Sequence, residues 1–148
     1  SVFLFKEKEL LEGNKKTINK HMIKDFLIIN CTGKDDLIGL RVYNNFYIHK
    51  IKNSINKKDE LVSNIIHFLK KNNTIIDKNF SIIVNCGPGS FSTIRASLAV
   101  AKGIKISKGS KIYGYNNSFL TEFNLKNIEI LIKKNLLENK LIKPVYLS

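Results

Sequence analysis

The stretch VNCGPGSFSTIRASLAVAKGI, residues 84–104, contains an abrupt change of predicted secondary structure. The apolar, β-branched run at 80–86 has the composition and length of a strand, and it ends in two glycines separated by a proline. A helix is predicted to follow over about 90–108. Because the glycines can adopt positive φ and the proline between them is rigid, we predict a tight elbow that delivers the strand into the helix.

This elbow permits anion binding without requiring it. A glycine-rich turn at the start of a helix leaves N–H groups unpaired, and such groups can hold phosphate. The lysine of a Walker loop and the third glycine of a dinucleotide fingerprint are both absent. The residues alone therefore favour a structural turn, in which Ser90 accepts a hydrogen bond from the amide of Ser92 or Thr93. The loop that forms the elbow consists of Gly87, Pro88, Gly89 and Ser90.

Two candidate nucleophiles, Cys86 and Ser90, lie in or beside the elbow. A nucleophile elbow has glycine two residues on either side of its serine, and Ser92 breaks that pattern. We therefore favour a buried or capping role for both side chains. The chain has two cysteines, Cys31 and Cys86, and two lone thiols indicate a reducing compartment without a structural disulfide.

The helix after the elbow carries small residues along one face. Small side chains let another backbone approach closely, and two interpretations stay open. The face packs either on the predicted helix at 59–72 of the same chain, or on a second subunit. A neighbouring face, with Ile94, Leu98 and Ala101, is expected to meet the sheet. The predicted partner interface consists of Ala96, Ala99, Val100 and Gly103 on this helix and Ile65 and Leu69 on the 59–72 helix.

The remaining segments predict a mixed α/β domain whose sheet is covered by helices. Three strands form an antiparallel meander, with a hairpin turn at Asn44-Asn45. A further strand and a last amphipathic helix follow the elbow helix, and the chain closes with a short strand or docked tail. Residues 1–21 are predicted to be an extension of uncertain role. The strands are at 26–31, 37–43, 46–51, 80–86, 111–115 and 144–147, and the last helix is at 125–139.

The net charge of +13 has two interpretations. Lysines near phosphates release counterions, so a basic chain can bind nucleic acid. Lys, Asn and Ile together make up 63 of the 148 residues, which favours drift toward AT-rich codons as the larger cause. Between Asp77 and Glu122 there is no acid, and the field of one sign attracts acidic partners whatever its origin. The predicted basic surface includes Arg95, Lys102 and Lys105.

Several function classes find no support in the sequence. The three histidines, His21, His49 and His67, have no spacing that suits a metal. There is no run of 18 or more apolar residues, so neither a membrane span nor a membrane partner is expected. The first residues lack the pattern of a secretory signal, and we expect a cytoplasmic protein.

The elbow and its helix carry a family resemblance. GPGSFSTIRASLAVAKGI resembles the GPGSFTGLR-type motif of the TsaB family, also called YeaZ. The opening strand FLIINCT resembles that family's ILAIDTS, the segment IYGYNNSFL resembles its VVGVSSL, and the closing KPVYLS resembles its PxYLR end. The resemblance covers roughly residues 25–123 and, more weakly, the last few residues.

This resemblance implies an actin-like ATPase-type domain of the sugar-kinase and heat-shock fold over residues 22–123. Residues 124–148 would be a remnant helix and tail of a second lobe that is largely missing. Family members are non-catalytic partners of a TsaD-type subunit, which transfers a threonylcarbamoyl group to the adenosine beside the tRNA anticodon. A TsaE-type ATPase joins the assembly. The resemblance thus implies no cofactor or metal on this chain alone, and ATP or ADP with Mg²⁺ at the level of the complex. Whether the chain forms a homodimer when it is alone or only a heterodimer stays open.

Two departures from the family pattern concern single residues. Asn30 stands where the opening strand of the family has aspartate, and that carboxylate helps active relatives to place metal and phosphate. Thr93 stands where the motif has glycine. Two other functions remain open as alternatives: a nucleotide-binding phosphotransferase or ATPase that uses Asp25, Asp35 or Asp36, and a basic RNA-binding module.

Overall fold

The computed structural model describes residues 23–52, 57–139 and 146–147. The predicted extension at 1–21 lies outside these residues, as does most of the closing segment. Within the described part, no helix combines the length and the apolar character needed to cross a lipid bilayer.

The first three strands form the predicted antiparallel meander: β1 Phe26–Asn30, β2 Leu37–Val42 and β3 Asn45–Lys50. The predicted position of the hairpin turn is wrong by one residue. Tyr43 and Asn44 have positive φ (54° and 62°), whereas Asn45 belongs to β3 and pairs with Val42. Packing sets this register, because the ring of Phe46 occupies the space that a side chain at Gly39 would need.

The later elements follow the predicted order. They are α1 Lys57–Lys71, β4 Ser81–Asn85, β5 Gly89–Ser90, α2 Phe91–Lys108, β6 Lys111–Tyr115, a 3₁₀ turn Asn117–Phe119, α3 Leu125–Lys133 and β7 Tyr146–Leu147. The predicted extent of α3 to residue 139 is wrong. Asn135 takes a left-handed conformation (φ 58°), and the amide of Leu136 bonds back to the carbonyl of Leu131 at 3.0 Å. This Schellman motif ends the helix six residues early.

The main sheet has the strand order β3-β2-β1-β4-β6. β1, β4 and β6 are mutually parallel, and β2 is antiparallel to β1. The helices α1 and α2 are each a crossover between parallel strands, so they run in the same direction. The carboxyl ends of β1, β4 and β6 therefore meet at one edge of the sheet, which is where the elbow begins.

The sheet has a core on both faces. Alternate residues of β1 point in opposite directions: Leu27 and Ile29 contribute to the core under α1 and α2, whereas Phe26 and Ile28 contribute to the core under α3. All four are at most 1% exposed, as expected of a central strand buried on both sides. α3 places Ile128, Leu131 and Ile132 in the second core.

Candidate functional site

The elbow after β4 needs glycine at two positions for different reasons. Gly87 has a φ of 93°, which fits the predicted positive φ. Gly89 has no such conformation, but a Cβ there would lie 2.7 Å from the Cβ of Thr32 and 2.9 Å from its carbonyl oxygen. The first glycine therefore permits the turn, and the second permits the turn to touch the residue that follows the opening strand. The peptide bond between Gly87 and Pro88 is cis.

Neighbouring segments hold the elbow in place. The amide of Ser90 donates to the carbonyl of Thr32 at 2.8 Å, and the amide of Asn117 donates to the carbonyl of Gly87 at 2.8 Å. β7 pairs with Gly89 and Ser90 in a parallel register. The turns after β1 and β6 and the closing strand thus all contact the elbow, and much of its backbone hydrogen bonding is satisfied within the chain.

Ser90 occupies the N-cap position of α2 but does not cap it through its side chain. Its backbone is extended (φ −63°, ψ 131°), and its hydroxyl accepts no capping hydrogen bond from a backbone amide of the helix. The predicted bond to the amide of Ser92 or Thr93 is therefore wrong. The hydroxyl of Thr93 donates to the Ser90 Oγ at 3.3 Å instead. Ser90 Cβ also packs so tightly on Gly33 (φ 102°) that a Cβ there would be 2.7 Å away.

A network of neutral polar side chains joins the ends of β1, β4 and β6. Asn85, which is fully buried, donates to the Oδ1 of Asn30 at 2.8 Å and to the Oδ1 of Asn117 at 2.9 Å. Its own Oδ1 accepts from the amide of Gly87 at 2.8 Å. The hydroxyl of Tyr115 donates to the Oδ1 of Asn30 at 2.6 Å. These amides tie the three strand ends and the elbow to each other.

Sequence reasoning identified Asn30 and missed the other members of this network. A signal was present, because Asn85 and Tyr115 are the last residues of two apolar strands and Asn117 follows closely. Polar residues at the ends of parallel strands come together at one edge of a sheet. The missing information was the strand order, which the sequence pattern did not specify.

The carboxylates of the alternative phosphotransferase hypothesis do not come together. Asp25 precedes β1 at the opposite edge of the sheet, and Asp35 is exposed in the turn after β1. Asp36 is buried, and its Oδ1 accepts from the amides of Thr32 at 3.1 Å and Gly33 at 2.8 Å. Among the described residues, no group of three or more His, Cys, Asp or Glu side chains could hold a metal ion.

The cavity beside Asp36 and Thr93 has a volume of only about 20 Å³. A space of that size holds about one water molecule. Cys31 also lines this cavity, and both Cys31 and Cys86 are free thiols, as predicted. Burial raises the pKa of both, and the charge of Asp36 raises that of Cys31 further. Both sulfurs are therefore kept in the protonated form, which suits the predicted buried role better than a nucleophilic one.

A much larger concavity lies on the outer side of the molecule, between α1 and α2. This groove has a volume of about 530 Å³ and a mostly apolar lining. Ile65, Ile76 and Val100 form its buried floor, while Ile66 and Ile75 stand on its walls with 49% and 82% of their surface exposed. The other lining residues are Lys58, Val62, Leu69, Lys70, Thr74, Ala99, Gly103, Ile104, Ser107 and Lys108.

The small-residue face of α2 divides between the interior and this groove. Ala96 and Val100 are buried by their own chain, whereas Ala99 and Gly103 are exposed. A Cβ added at Gly103 would meet no atom within 4 Å. Packing on α1 thus accounts for part of the small face and leaves the rest open, and contact with a second polypeptide stays a prediction. The neighbouring face, Ile94, Leu98 and Ala101, is buried against the sheet as predicted.

The predicted basic residues of α2 are exposed. Lys102 and Lys105 point to solvent, and the guanidinium of Arg95 lies over the ring of Phe91, 5.1 Å from its centroid. This cation–π contact holds Arg95 near the start of the helix, next to the elbow.

Comparison with known proteins places this geometry in a known fold. No family model and no curated protein matches the sequence. YeaZ from Pseudomonas aeruginosa matches with a TM-score of 0.59 and 14% identity, over 66% of this chain and 46% of its own. A protein from the same organism, described as uncharacterized with similarity to peptidase YEAZ, matches with a TM-score of 0.59 and 14% identity, over 66% of this chain and 45% of its own. RuvC from Thermus thermophilus has 13% identity over 81% of this chain and 83% of its own, and its TM-score of 0.38 is too low to carry weight.

The chain therefore forms one α/β lobe of the RNase H-like, actin-like ATPase type, with a mixed five-stranded sheet between helices. This confirms the predicted fold class. The chain spans less than half the length of the two YeaZ-like structures, and at 14% identity the likeness shows the fold alone.

Proposed function

We propose that this chain is a non-catalytic subunit that pairs with a TsaD-type catalytic subunit in the threonylcarbamoyladenosine modification of tRNA. The face formed by α1 and α2 is the contact surface. A TsaE-type ATPase and tRNA join at the level of the complex, which works in the cytoplasm. ATP or ADP and Mg²⁺ bind there and not to this chain alone.

The open groove between α1 and α2 is the observation that carries this proposal. Its apolar side chains Val62, Ile66 and Ile75 are 36%, 49% and 82% exposed, so burial would give each a matching fraction of the roughly 1.5–3 kcal/mol gained by a fully exposed aliphatic side chain. A contiguous apolar concavity of this kind is typical of an interaction site. Because the side chain of Ala99 is a single methyl group and Gly103 has none, a partner helix can approach the backbone of α2 closely at these positions.

The polar residues beside the elbow support a non-catalytic role for this chain. The position that carries a carboxylate in active relatives is Asn30, and its Oδ1 already accepts two hydrogen bonds. The buried carboxylate nearby, Asp36, is engaged by the turn after β1. The polar groups at this edge thus hold the fold together, and they support a scaffold more than a transferase.

The basic surface suits a place near tRNA in the assembled complex. Lys102, Lys105 and Arg95 are exposed on α2 without an acid in the sequence between Asp77 and Glu122. Such lysines near phosphates would make tRNA binding by the complex weaken as salt rises.

Co-expression with the TsaD-type subunit of the same genome tests the proposal. We expect a 1:1 complex that survives size-exclusion chromatography at micromolar concentration. Replacing Ala99 or Gly103 by leucine should abolish the complex and leave the thermal unfolding of the isolated chain intact. Ser92→Leu, on an exposed position of α2 outside the groove, is the matched control and should still bind.

Two results would count against the proposal. One is the lack of a complex with the wild-type chain at micromolar concentration. The other is a calorimetric signal for ATP with Mg²⁺ binding to the isolated chain, which would favour the nucleotide-binding alternative.

A further inference from the structure

The sheet face under α3 is wider than the helix that packs on it. The core under α3 takes its strand residues from β1, β4 and β6, and no residue of β2 belongs to it. On the opposite face, β2 contributes Ile38, Leu40 and Val42 to the core under α1 and α2. A helix is about 10–12 Å across, whereas five strands at a spacing of about 4.8 Å span about 19 Å. α3 alone therefore cannot cover the half of this face formed by β2 and β3.

We call this half the β2–β3 shelf and define it by Arg41, Phe46 and Ile48. Alternation along β2 turns Arg41 to this face, and the register places it between Phe26 of β1 and Phe46 of β3. The centroid of the Phe46 ring lies 6.3 Å from that of Phe26 and 6.0 Å from that of Phe123. Ile48, which follows on the same face of β3, is 49% exposed. The shelf is thus an apolar surface with one positive charge in it.

The guanidinium of Arg41 has a nitrogen without a partner. Its Nη1 is buried and makes no hydrogen bond to any residue in 23–52, 57–139 or 146–147. Asp25 and Glu122 stand beside Phe26 and Phe123 in the sequence, and neither bonds to this nitrogen. A buried donor of a charged group is costly when it is unpaired, and a carboxylate is the acceptor that best fits a guanidinium. The shelf therefore combines a donor that would gain from a carboxylate with apolar surface that would gain from burial.

One segment outside those ranges carries acidic side chains. Residues 1–22 contain Glu7, Glu9 and Glu12, whereas the other segments outside those ranges contain no acid. Apolar residues stand on both sides of the glutamates in SVFLFKEKELLE, residues 1–12. A single stretch of the chain thus offers both the carboxylate and the apolar side chains that the shelf would accept.

This segment joins the fold on the face that contains the shelf. It continues into Ile23, which packs against the core under α3 and comes three residues before Phe26, the register neighbour of Arg41. The stretch 13–22 can span up to roughly 33–36 Å when it is extended. β1 and β3 are two strand spacings apart, or about 10 Å. The glutamates can therefore reach Arg41 from the point where the chain enters the fold.

We propose that residues 1–12 dock on the β2–β3 shelf of the same molecule, with a glutamate carboxylate paired to Arg41 and apolar side chains over Phe46 and Ile48. The segment then covers the half of the sheet face that α3 does not reach. Because the shelf and the groove between α1 and α2 lie on opposite faces of the sheet, this docking is independent of the proposed function and leaves the groove free.

A double-mutant cycle in the 148-residue chain tests the pairing. One change is Arg41→Met, which keeps an apolar side chain and removes the charge. The other is a three-Gln variant that carries Glu7→Gln, Glu9→Gln and Glu12→Gln. Urea denaturation gives the unfolding equilibrium constant of each chain. We expect the three-Gln changes to raise this constant about tenfold when Arg41 is present and less than about twofold in the Arg41→Met background.

The control variant neutralises three exposed acids outside the shelf, by Asp35→Asn, Asp77→Asn and Glu138→Gln. It removes the same charge, so its effect should be equal in both backgrounds. If the three-Gln changes also act equally in both backgrounds, Arg41 is satisfied by water or by another molecule and the inference is wrong. A coupling that grows with protein concentration would place the segment on a second copy, and it would likewise overturn docking within one molecule.

The reactivity of an introduced thiol tests the apolar contact without the Arg41 variant. With Ile48→Cys, reaction with a maleimide should be about tenfold faster in the three-Gln chain than in the otherwise wild-type chain, since the ion pair holds the segment over this position. Ile106→Cys, at an 84% exposed position of α2, is the matched control and should react equally fast in both chains. Equal rates for Ile48→Cys in both chains would show that the segment does not cover the shelf.

Discussion

The elbow and the groove are two contrasting regions on the same helix. α2 begins at the closed elbow and then runs along the open groove. At the elbow, the side-chain amide of Asn85, the backbone amide of Ser90 and the carboxylate of Asp36 all have partners inside the chain, and the nearby cavity has room for only about one water molecule. Along the groove, Ile66 and Ile75 are exposed and about 530 Å³ lies unfilled. The most distinctive motif of the sequence is therefore held within the fold, and the exposed apolar surface beside it is where we propose that a partner binds.

The largest expected effect comes from a substitution in the closed elbow. Gly89→Ala would place a Cβ within 2.7 Å of the Thr32 side chain and 2.9 Å of its carbonyl oxygen. Since a backbone atom cannot move away cheaply, we expect a loss of about 3 kcal/mol in the free energy of unfolding, at the upper end of overpacking effects. Urea denaturation measures it. A loss below about 1 kcal/mol would show that the elbow is not tightly held.

A second substitution tests whether the amide network is as fully paired as its distances indicate. Asn85→Asp removes the donor that bonds to Asn30 and Asn117, so the Oδ1 of Asn117 loses this bond and the Oδ1 of Asn30 keeps only the bond from Tyr115. We expect a loss of about 2 kcal/mol at neutral pH. Burial raises the pKa of the introduced carboxyl, so the deficit should shrink at acid pH, where the group is protonated in both states.

The matched control for this network is Asn116→Asp. Asn116 is exposed, and its Oδ1 only accepts, from the amide and the hydroxyl of Ser118 at 2.8 and 2.7 Å. A carboxylate accepts equally well, so stability should be unchanged. Equal losses for both substitutions would argue against a special role of the buried network.

The pH dependence of stability under alkaline conditions gives a smaller, graded test of whether the region next to the elbow excludes solvent. Burial raises the pKa of the Cys31 thiol above its ordinary value near 9, so the folded state keeps a proton that the unfolded state releases. The stability associated with this group is complete below about pH 9 and is lost as the pH rises further, by up to about 1.4 kcal/mol for each pH unit. Cys31→Ala should flatten the fall between pH 8 and 10. An unchanged slope would show that the thiol is accessible to solvent.

The smallest expected effect comes from a substitution in the open groove. Gly103→Ala introduces a Cβ that meets nothing within 4 Å, at a helical position where alanine is favoured over glycine by up to about 1 kcal/mol. The free energy of unfolding should stay level or rise slightly, in contrast to the same substitution at Gly89. A loss of more than about 1 kcal/mol would mean that the groove is closed by the chain itself.

Most of the architecture could be predicted from local pattern. The buried run of β1, the elbow and the sheet-facing residues of α2 follow from apolar periodicity and from the conformational freedom of glycine. Errors arose where distant packing decided the outcome. The hairpin turn shifted to Tyr43-Asn44 because the ring of Phe46 lies over Gly39, and neither residue indicates the other in the sequence.

The candidate site was harder to predict than the fold. The small face of α2 was recognised, but its division into buried Ala96 and exposed Ala99 depends on how closely α1 approaches. The cap at Ser90 was predicted from residue type alone, and contact with Gly33 and Thr93 redirected its side chain. Long-range contacts of this kind have no periodic signal.

The pairing around Asn30 has a consequence for how chemistry could arise at this edge. Replacing Asn30 by aspartate would supply a carboxylate, but the hydroxyl of Tyr115 and the side-chain amide of Asn85 already donate to the Oδ1 position. Both donors would offset part of the new negative charge at that oxygen, whereas the second carboxylate oxygen would take the place of the amide nitrogen. An aspartate at residue 30 would therefore commit one oxygen to the fold and offer a cation only the other.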